Sequence, residues 1–136
     1  MADSVIVAKT ESIRRCIRRI EEDYFGFEED FKVNFMRQDA VILNLQRACE
    51  QVIDLANHLI KIKDLTIPKN SRDSFRVLSE AGIIPDDLGE RLERMVGFRN
   101  IAVHEYQELD LGIVVSILTK NINDLHRFIQ IASKWI

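Results

Sequence analysis

Three polar residues near position 100 could carry out chemistry on a phosphate ester. Arg99 and Asn100 are adjacent, and His104 follows four residues after Asn100. A histidine transfers protons near neutral pH, a guanidinium holds a phosphate through two parallel hydrogen bonds, and an amide can orient either group. Arginine and histidine together suffice to transesterify RNA, because the ribose 2′-hydroxyl of the substrate is the nucleophile. A structural arginine beside a hydrogen-bonded core histidine is the alternative interpretation.

Other motifs that indicate catalysis or cofactor binding do not occur in the sequence. It has no glycine-rich phosphate loop, no nucleophile elbow and no Cys-x-x-Cys pair. The three histidines, His58, His104 and His126, lack the spacing of a metal site, and His58 and His126 are expected to be structural. We therefore expect no metal and no cofactor, so that any reaction relies on side chains and on the substrate.

The composition predicts one all-α domain over residues 1–136. The chain is 46% hydrophobic and 30% charged, which is enough apolar content for a core and excludes disorder as its main state. No apolar run approaches the ~18 residues of a membrane span, and no secretory signal is visible, so a cytoplasmic location is expected. Cys16 and Cys49 are expected to be reduced core thiols. The net charge of −3 implies that any RNA-binding surface is local.

Hydrophobic residues recur at helical spacing along the whole chain, and strand patterns are almost absent. The predicted helices cover residues 3–24, 29–63, 71–82, 86–103 and 110–136, with a loop at 65–70 and a break at 104–110. The expected helix caps are Asp3 or Ser4, Ser71 and Asp110. Gly82 is expected to end the third helix in a left-handed conformation. Long amphipathic helices joined by short loops predict an antiparallel up-and-down helical bundle.

The predicted fourth helix departs from a simple amphipathic pattern. On a wheel of about 100° per residue, Arg99 falls in the middle of the apolar stripe, where a guanidinium is costly to bury without partners. Either it pairs with a carboxylate inside the bundle, or the stripe faces something other than a dry core. Phe98 and Ile101 fall on the opposite, nominally solvent-facing side. We therefore expect a homodimer with this helix near its interface; packing on another helix of the same chain is the alternative.

Residues 99–106, Arg-Asn-Ile-Ala-Val-His-Glu-Tyr, resemble the R-N-x-x-x-H-x-Y signature of HEPN-domain proteins, and most closely that of the HepT type of ribonuclease toxin. The likeness extends over about residues 30–136, including the predicted second helix and the approach to the motif at residues 95–98. The resemblance implies that Arg99 and His104 are the catalytic pair, that Asn100 supports them, and that the active cleft lies between two protomers.

The same resemblance implies partners and a mode of control. Such toxins cleave RNA, here tRNA or mRNA, and are usually encoded beside a minimal nucleotidyltransferase that acts as the antitoxin. In the HepT branch this antitoxin adds AMP to the motif tyrosine, here Tyr106. AMP would place bulk and negative charge beside the cleft and so repel the RNA backbone. The alternative hypotheses are a non-catalytic nucleotide-binding module and a scaffold subunit that regulates the nucleotidyltransferase.

Three carboxylates of the predicted second helix are weaker candidates for the site. Asp39, Glu50 and Asp54 could orient Arg99 or join the cleft. An exposed helix face or an interhelical salt bridge is the alternative role for each of them.

Two basic groups could contact an RNA backbone. The first is the run Arg14, Arg15, Arg18 and Arg19, for which a solvated face paired with neighbouring acids is the alternative. The second consists of Lys69 and Arg72, which flank the loop near Pro68 and could equally be ordinary solvated loop residues.

Overall fold

The chain folds into a bundle of α-helices, which a computed structural model describes over residues 3–104 and 110–135, with His104 described by its backbone alone. The helices in these ranges are α1 (Ser4–Tyr24), α2 (Glu28–Phe31), α3 (Phe35–Ile62), α4 (Ser71–Glu80), α5 (Asp86–His104), α6 (Leu111–Lys120) and α7 (Ile122–Ala132). A 3-10 turn follows at Ser133–Trp135, and these ranges contain no strand. No helix within them is long and apolar enough to span a membrane. The all-α prediction is confirmed.

The two longest helices, α1 and α3, pack side by side in opposite directions. Lys9, near the start of α1, forms an ion pair of 3.2 Å with Asp54 near the end of α3. At the other end of the pair, the guanidinium of Arg37 donates a hydrogen bond of 2.8 Å to the backbone carbonyl of Asp23. These contacts fix the register of the two helices, whose facing apolar stripes supply much of the core.

Asp3 begins α1 and also ties it to α3. Its side chain accepts hydrogen bonds from the backbone amides of Val5 and Ile6, which confirms the predicted cap. Its second carboxylate oxygen lies 2.7 Å from Nε2 of His58. The hydrogen bond to His58 is the main reason that the pKa of Asp3 lies below its usual value, and the bond to Ile6 adds to the effect. His58 therefore has the structural role that the sequence predicts.

Helix α4 runs antiparallel to α5 along its whole length. Ser71 at the start of α4 contacts Arg99 near the end of α5. At the opposite ends of the same two helices, the hydroxyl of Ser79 donates to the carboxylate of Asp86. This arrangement places the loop before α4 beside the part of α5 that carries the motif.

Helix α7 closes the bundle against α4 and α5. The ring of Phe128 meets that of Phe75 edge to face, with 6.0 Å between centroids, and both rings are fully buried. On the surface, Arg127 forms an ion pair of 3.2 Å with Asp87 at the start of α5. The buried apolar side chains of α1, α3, α4, α5, α6 and α7 form one continuous hydrophobic cluster.

Both cysteines lie in this core as free thiols. Their side chains are buried, and burial raises the pKa of each thiol above its usual value, that of Cys49 to about 12. Both therefore stay neutral and behave as small apolar groups near neutral pH, as the sequence predicts.

The predicted helix over residues 29–63 is wrong at its start, because the chain forms two helices there. Helix α2 ends at Phe31 and α3 begins at Phe35. The backbone of Asn34 is extended, and its side chain accepts a hydrogen bond from the amide of Arg37. An asparagine that caps a new helix offers the backbone an alternative to helix continuation, and the buried ring of Phe31 holds the turn against the core.

Two other helix ends differ from the prediction. Asn70, rather than Ser71, caps α4, so the hydroxyl of Ser71 is available for another contact. The predicted last helix over residues 110–136 is interrupted at Asn121, where α6 ends and α7 begins. The predictions for Gly82, which has a φ of +74°, and for the cap Asp110, which accepts from the amide of Gly112, are confirmed.

Candidate active site

Arg99 lies near the end of α5, where its partly buried guanidinium meets the start of α4. Its Nη2 atom donates a hydrogen bond of 3.3 Å to Oγ of Ser71. In the described part of the chain, its buried Nε atom has no hydrogen-bond partner and no carboxylate lies within ion-pair distance of the guanidinium. A buried donor without a partner is costly and calls for a functional reason. The sequence analysis left open that Arg99 pairs with a carboxylate inside the bundle, and the described residues contain no such partner.

Helix α3 brings a thiol and a carboxylate into the electrostatic environment of Arg99. Burial dominates the raised pKa of Cys49, while the positive charge of Arg99 opposes that rise and the negative charge of Glu50 adds to it. Both charged groups therefore act on the same thiol, one from α5 and one from α3. Glu50 is one of the three carboxylates predicted as possible supports; it is half-buried on α3 next to Cys49, and its part in the site stays a prediction.

The other two predicted carboxylates occupy exposed positions of α3. Asp54 pairs with Lys9 of α1, which is the interhelical salt bridge offered as its alternative role. Asp39 lies near the start of α3, and its part in the site stays a prediction. Within the described ranges, no cluster of three or more histidine, cysteine or acidic side chains could hold a metal ion.

The basic run of α1 is exposed to solvent at all four positions, Arg14, Arg15, Arg18 and Arg19. Arg14 forms an ion pair of 3.2 Å with Glu11 one turn before it. This pair agrees with the interpretation of a solvated helix face, since exposed pairs at this spacing are common and contribute little to stability.

Asn100 is exposed on α5 and lines an open cleft of about 710 Å³ between α5 and α6. The helix continues to His104, which is the condition under which the sequence places Asn100 and His104 on the same helical face. The side chain of His104 and the whole of Tyr106 lie outside the described residues, as does most of the predicted break at 104–110. The roles of His104 and Tyr106 therefore stay predictions.

Phe98 is buried within the chain, which is the alternative that the sequence left open to its packing against a second chain. Its side chain is 5% exposed, because α5 contacts α3, α4 and α7 and so has several neighbours in the same chain. A helical wheel with one buried face does not describe a helix inside a bundle. Ile101 and Val103, by contrast, remain 40% and 42% exposed beside the motif.

Gly97 allows a side chain of α4 to lie directly on α5, a role that the sequence analysis missed. A Cβ atom at Gly97 would lie 2.5 Å from Nη2 of Arg72, so the missing side chain makes room for that guanidinium. The signal was present in the sequence, because a glycine inside a helix costs about 1 kcal/mol relative to alanine. Such a glycine indicates a packing or functional reason.

Known proteins share both this fold and this sequence pattern. The family described as ribonuclease HepT-like matches residues 13–132. The chain belongs to the ribonuclease HepT-like family. The resemblance to HepT-type ribonucleases drawn from the motif is thereby confirmed, and the HepT-like fold is the helical bundle described above.

HepT-like proteins of Shewanella oneidensis resemble the chain over its full length. The protein named mRNA nuclease HepT from this bacterium is 47% identical over 129 residues, which cover 95% of this chain and 96% of the relative. The tri-AMPylated HEPN toxin of the same bacterium, solved in complex with an MNT antitoxin, superimposes with a TM-score of 0.92 at 45% identity, covering 98% of this chain and 99% of that chain. A toxin–antitoxin structure with AMP-PNP matches with a TM-score of 0.93, 45% identity and coverages of 97% and 99%.

Replacing Arg99 by Met is expected to raise thermal stability while removing the charge from the site. Methionine fills a similar volume without a buried unpaired donor, and the expected gain of about 1 kcal/mol corresponds to a rise in Tm of roughly 3–5 °C. Thermal unfolding followed by circular dichroism measures this shift. Arg76→Met, at an exposed position paired with Glu93, is the control and should change Tm little. A Tm several degrees lower for Arg99→Met would show that Arg99 is a structural residue.

Proposed function

We propose that this HepT-like protein is the toxin of a toxin–antitoxin pair, and that it is an endoribonuclease requiring no metal. The observation that carries the proposal is the guanidinium of Arg99, which is partly buried and free of any carboxylate partner in the described part of the chain. An arginine held in this state can accept a phosphate as its bidentate partner. The neighbouring Asn100 opens onto a cleft, and membership of a ribonuclease family supports the same substrate class.

The proposed reaction is an attack of the ribose 2′-oxygen on the adjacent phosphorus. His104 accepts the proton of the 2′-hydroxyl as the 2′-oxygen bonds to phosphorus. Arg99 stabilises the negative charge that develops on the pentavalent phosphate. The bond from phosphorus to the 5′-oxygen then breaks, and an imidazolium supplies the proton that the leaving oxygen takes. The products are a 2′,3′-cyclic phosphate and a 5′-hydroxyl, and the target is tRNA or mRNA.

We further propose that the active protein is a homodimer, with the motifs of both protomers facing one cleft. Val103 is exposed on α5 one residue before His104, and the HEPN proteins that the motif resembles build their active cleft between two protomers. A two-fold axis near the end of α5 would bring both copies of Arg99 and His104 together. Two imidazoles in one cleft would supply the base and the acid that the reaction needs.

The proposed partner is a minimal nucleotidyltransferase antitoxin, which silences the toxin in the cytoplasm by adding AMP to Tyr106. The related toxin of Shewanella oneidensis is tri-AMPylated and is bound to an MNT antitoxin, which supports the proposal. Tyr106 follows His104 by two residues. An adenylyl group there would place negative charge beside the phosphate site and would repel RNA.

Cleavage of RNA in excess EDTA tests the nuclease proposal. The unmodified native protein is expected to cut total bacterial RNA under these conditions, and His104→Ala should reduce the rate by about 10²–10⁴-fold, because it removes proton transfer. The helical circular dichroism spectrum should be the same for both proteins. Full activity of His104→Ala would contradict the mechanism. Mass spectrometry shows whether the native protein carries AMP. If the unmodified protein binds ATP or AMP but cuts no RNA, the nucleotide-binding alternative is favoured.

Substituting Tyr106→Phe is expected to separate toxicity from its control. The variant keeps Arg99 and His104 but lacks the hydroxyl that would receive AMP, so it should arrest bacterial growth even when the nucleotidyltransferase is expressed with it. Growth curves and intact-protein mass spectra of both versions measure the effect. If the nucleotidyltransferase relieves the growth arrest caused by Tyr106→Phe as completely as it does for the native toxin, then another residue, or binding without modification, controls the toxin.

A further inference from the structure

The cleft between α5 and α6 carries an arrangement of arginines that the catalytic motif does not explain. Arg91 and Arg94 line it from α5, and Arg72 borders it from α4. Asn100, which directly follows Arg99 in α5, lines the same cleft. The volume of about 710 Å³ lies within the range of pockets that hold nucleotide-sized ligands, about 300–1,000 Å³.

Two of these guanidiniums are free to bind an anion. Arg72 and Arg94 are exposed, and in the described part of the chain neither has an ion-pair or hydrogen-bond partner. Most other arginines near them are paired; Arg76, one turn after Arg72 on α4, contacts Glu93 at 3.1 Å. Unpaired guanidiniums side by side at one cleft repel each other unless an anion lies between them.

Two carboxylates at the cleft have partners. Asp124 is buried and lies 3.5 Å from Nη1 of Arg91, which lines the cleft. Asp110 lines the cleft, but its side chain accepts a hydrogen bond of 2.7 Å from the amide of Gly112 and caps α6. Among the described residues that line the cleft, three arginines face the one carboxylate of Asp110, so their summed charge is positive although the whole chain carries a net charge of −3.

The position of Arg72 depends on a specific feature of α5. Its guanidinium lies over Gly97, where any side chain would collide with it. The exposed apolar part of the lining includes Ile101 and Ile113, which present contact surface without hydrogen-bonding groups. Arginines beside exposed apolar side chains match a strand of nucleotides better than they match an isolated anion.

We propose that this cleft is a subsite for the phosphate backbone of single-stranded RNA, with Arg72 and Arg94 binding phosphates that flank the reacting one. The proposal rests on the proposed ribonuclease function and extends it beyond the motif. Asn100 directly follows Arg99 in α5 and lines the cleft, so the motif and the proposed subsite share one helix. Arg72 and Arg94 are binding and positioning residues in this arrangement, and they take no part in proton transfer.

The test measures RNA binding rather than cleavage, with His104→Ala as the background so that the RNA stays intact. Fluorescence anisotropy of a labelled single-stranded RNA oligonucleotide gives the affinity at several salt concentrations. Arg72→Ala combined with Arg94→Ala should weaken binding by about tenfold and reduce the slope of log affinity against log salt by about 1.4, since each phosphate contact on a single strand contributes about 0.7. An unchanged slope would overturn the proposal.

Two further variants separate the cleft from general charge and from folding. Arg76→Ala removes an arginine from the same helix outside the cleft and should leave the salt slope unchanged. Gly97→Ala keeps every charge but displaces Arg72, so it should weaken RNA binding without lowering Tm. Two results would contradict the assignment of the cleft to RNA. One is an RNA affinity of Gly97→Ala equal to that of the His104→Ala background. The other is a change of the salt slope in Arg76→Ala as large as that in the double variant of Arg72 and Arg94.

A mononucleotide carries the same phosphate group, so AMP is titrated in parallel by calorimetry. Loss of AMP affinity in the double variant with RNA affinity retained would identify a nucleotide pocket and overturn the assignment to an RNA strand. Failure of the proposed function would give a different result. If the native protein cuts no RNA but its RNA binding still depends on Arg72 and Arg94, the nuclease proposal is wrong and the RNA-binding subsite stands.

Discussion

The close antiparallel contact between the start of α4 and the end of α5 positions two of the three arginines that are proposed to bind phosphate, Arg72 and Arg99. Ser71 and Arg72 are adjacent on α4, and they meet Arg99 and Gly97 on α5. Because Asn70 takes the capping role, the hydroxyl of Ser71 is free to hold Arg99. The missing side chain of Gly97 then admits the guanidinium of Arg72. One helix–helix contact thus links a candidate catalytic group to a candidate binding cleft.

This contact is unfavourable for stability at two points, and the rest of the bundle compensates for it. Arg99 leaves a buried donor without a partner in the described part of the chain, and Gly97 lowers helix propensity. The long α1–α3 pair and the buried rings of Phe75 and Phe128 contribute stability away from the site. Proteins commonly retain such costly groups where function requires them.

The sequence predicted the features that depend on local periodicity and on the motif. Apolar residues at helical spacing gave the all-α fold, and the caps Asp3 and Asp110 followed from local hydrogen bonding. The errors arose where distant contacts decide the outcome. Asn34 starts a new helix because Phe31 packs back on the core, and Phe98 is buried because α5 has several neighbours within the chain.

The candidate site, like the fold, was predicted where local sequence is sufficient and missed where distant contacts decide. Residue types and spacing singled out Arg99, Asn100 and His104 as able to cleave RNA, and the resemblance to the HepT type favoured that role over a structural one. The cleft was beyond prediction, because Arg72 lies on α4 while Arg91 and Arg94 lie on α5, and the contact that brings these helices together is not visible in local sequence patterns. Arg72 was predicted, together with Lys69, as a possible RNA contact from its place beside the loop, but no local pattern shows which side chains of another helix will face it.

The central claim is that the substrate's own 2′-hydroxyl is the nucleophile and that Arg99 and His104 act on it. The most direct measurement compares an RNA oligonucleotide that the protein cuts with the same oligonucleotide carrying one 2′-deoxy nucleotide on the 5′ side of the cleaved bond. The account predicts that the modified strand binds with nearly unchanged affinity and is not cut at that bond. Cleavage of the modified strand at the same bond would show that water or a protein group is the nucleophile, and it would contradict the mechanism.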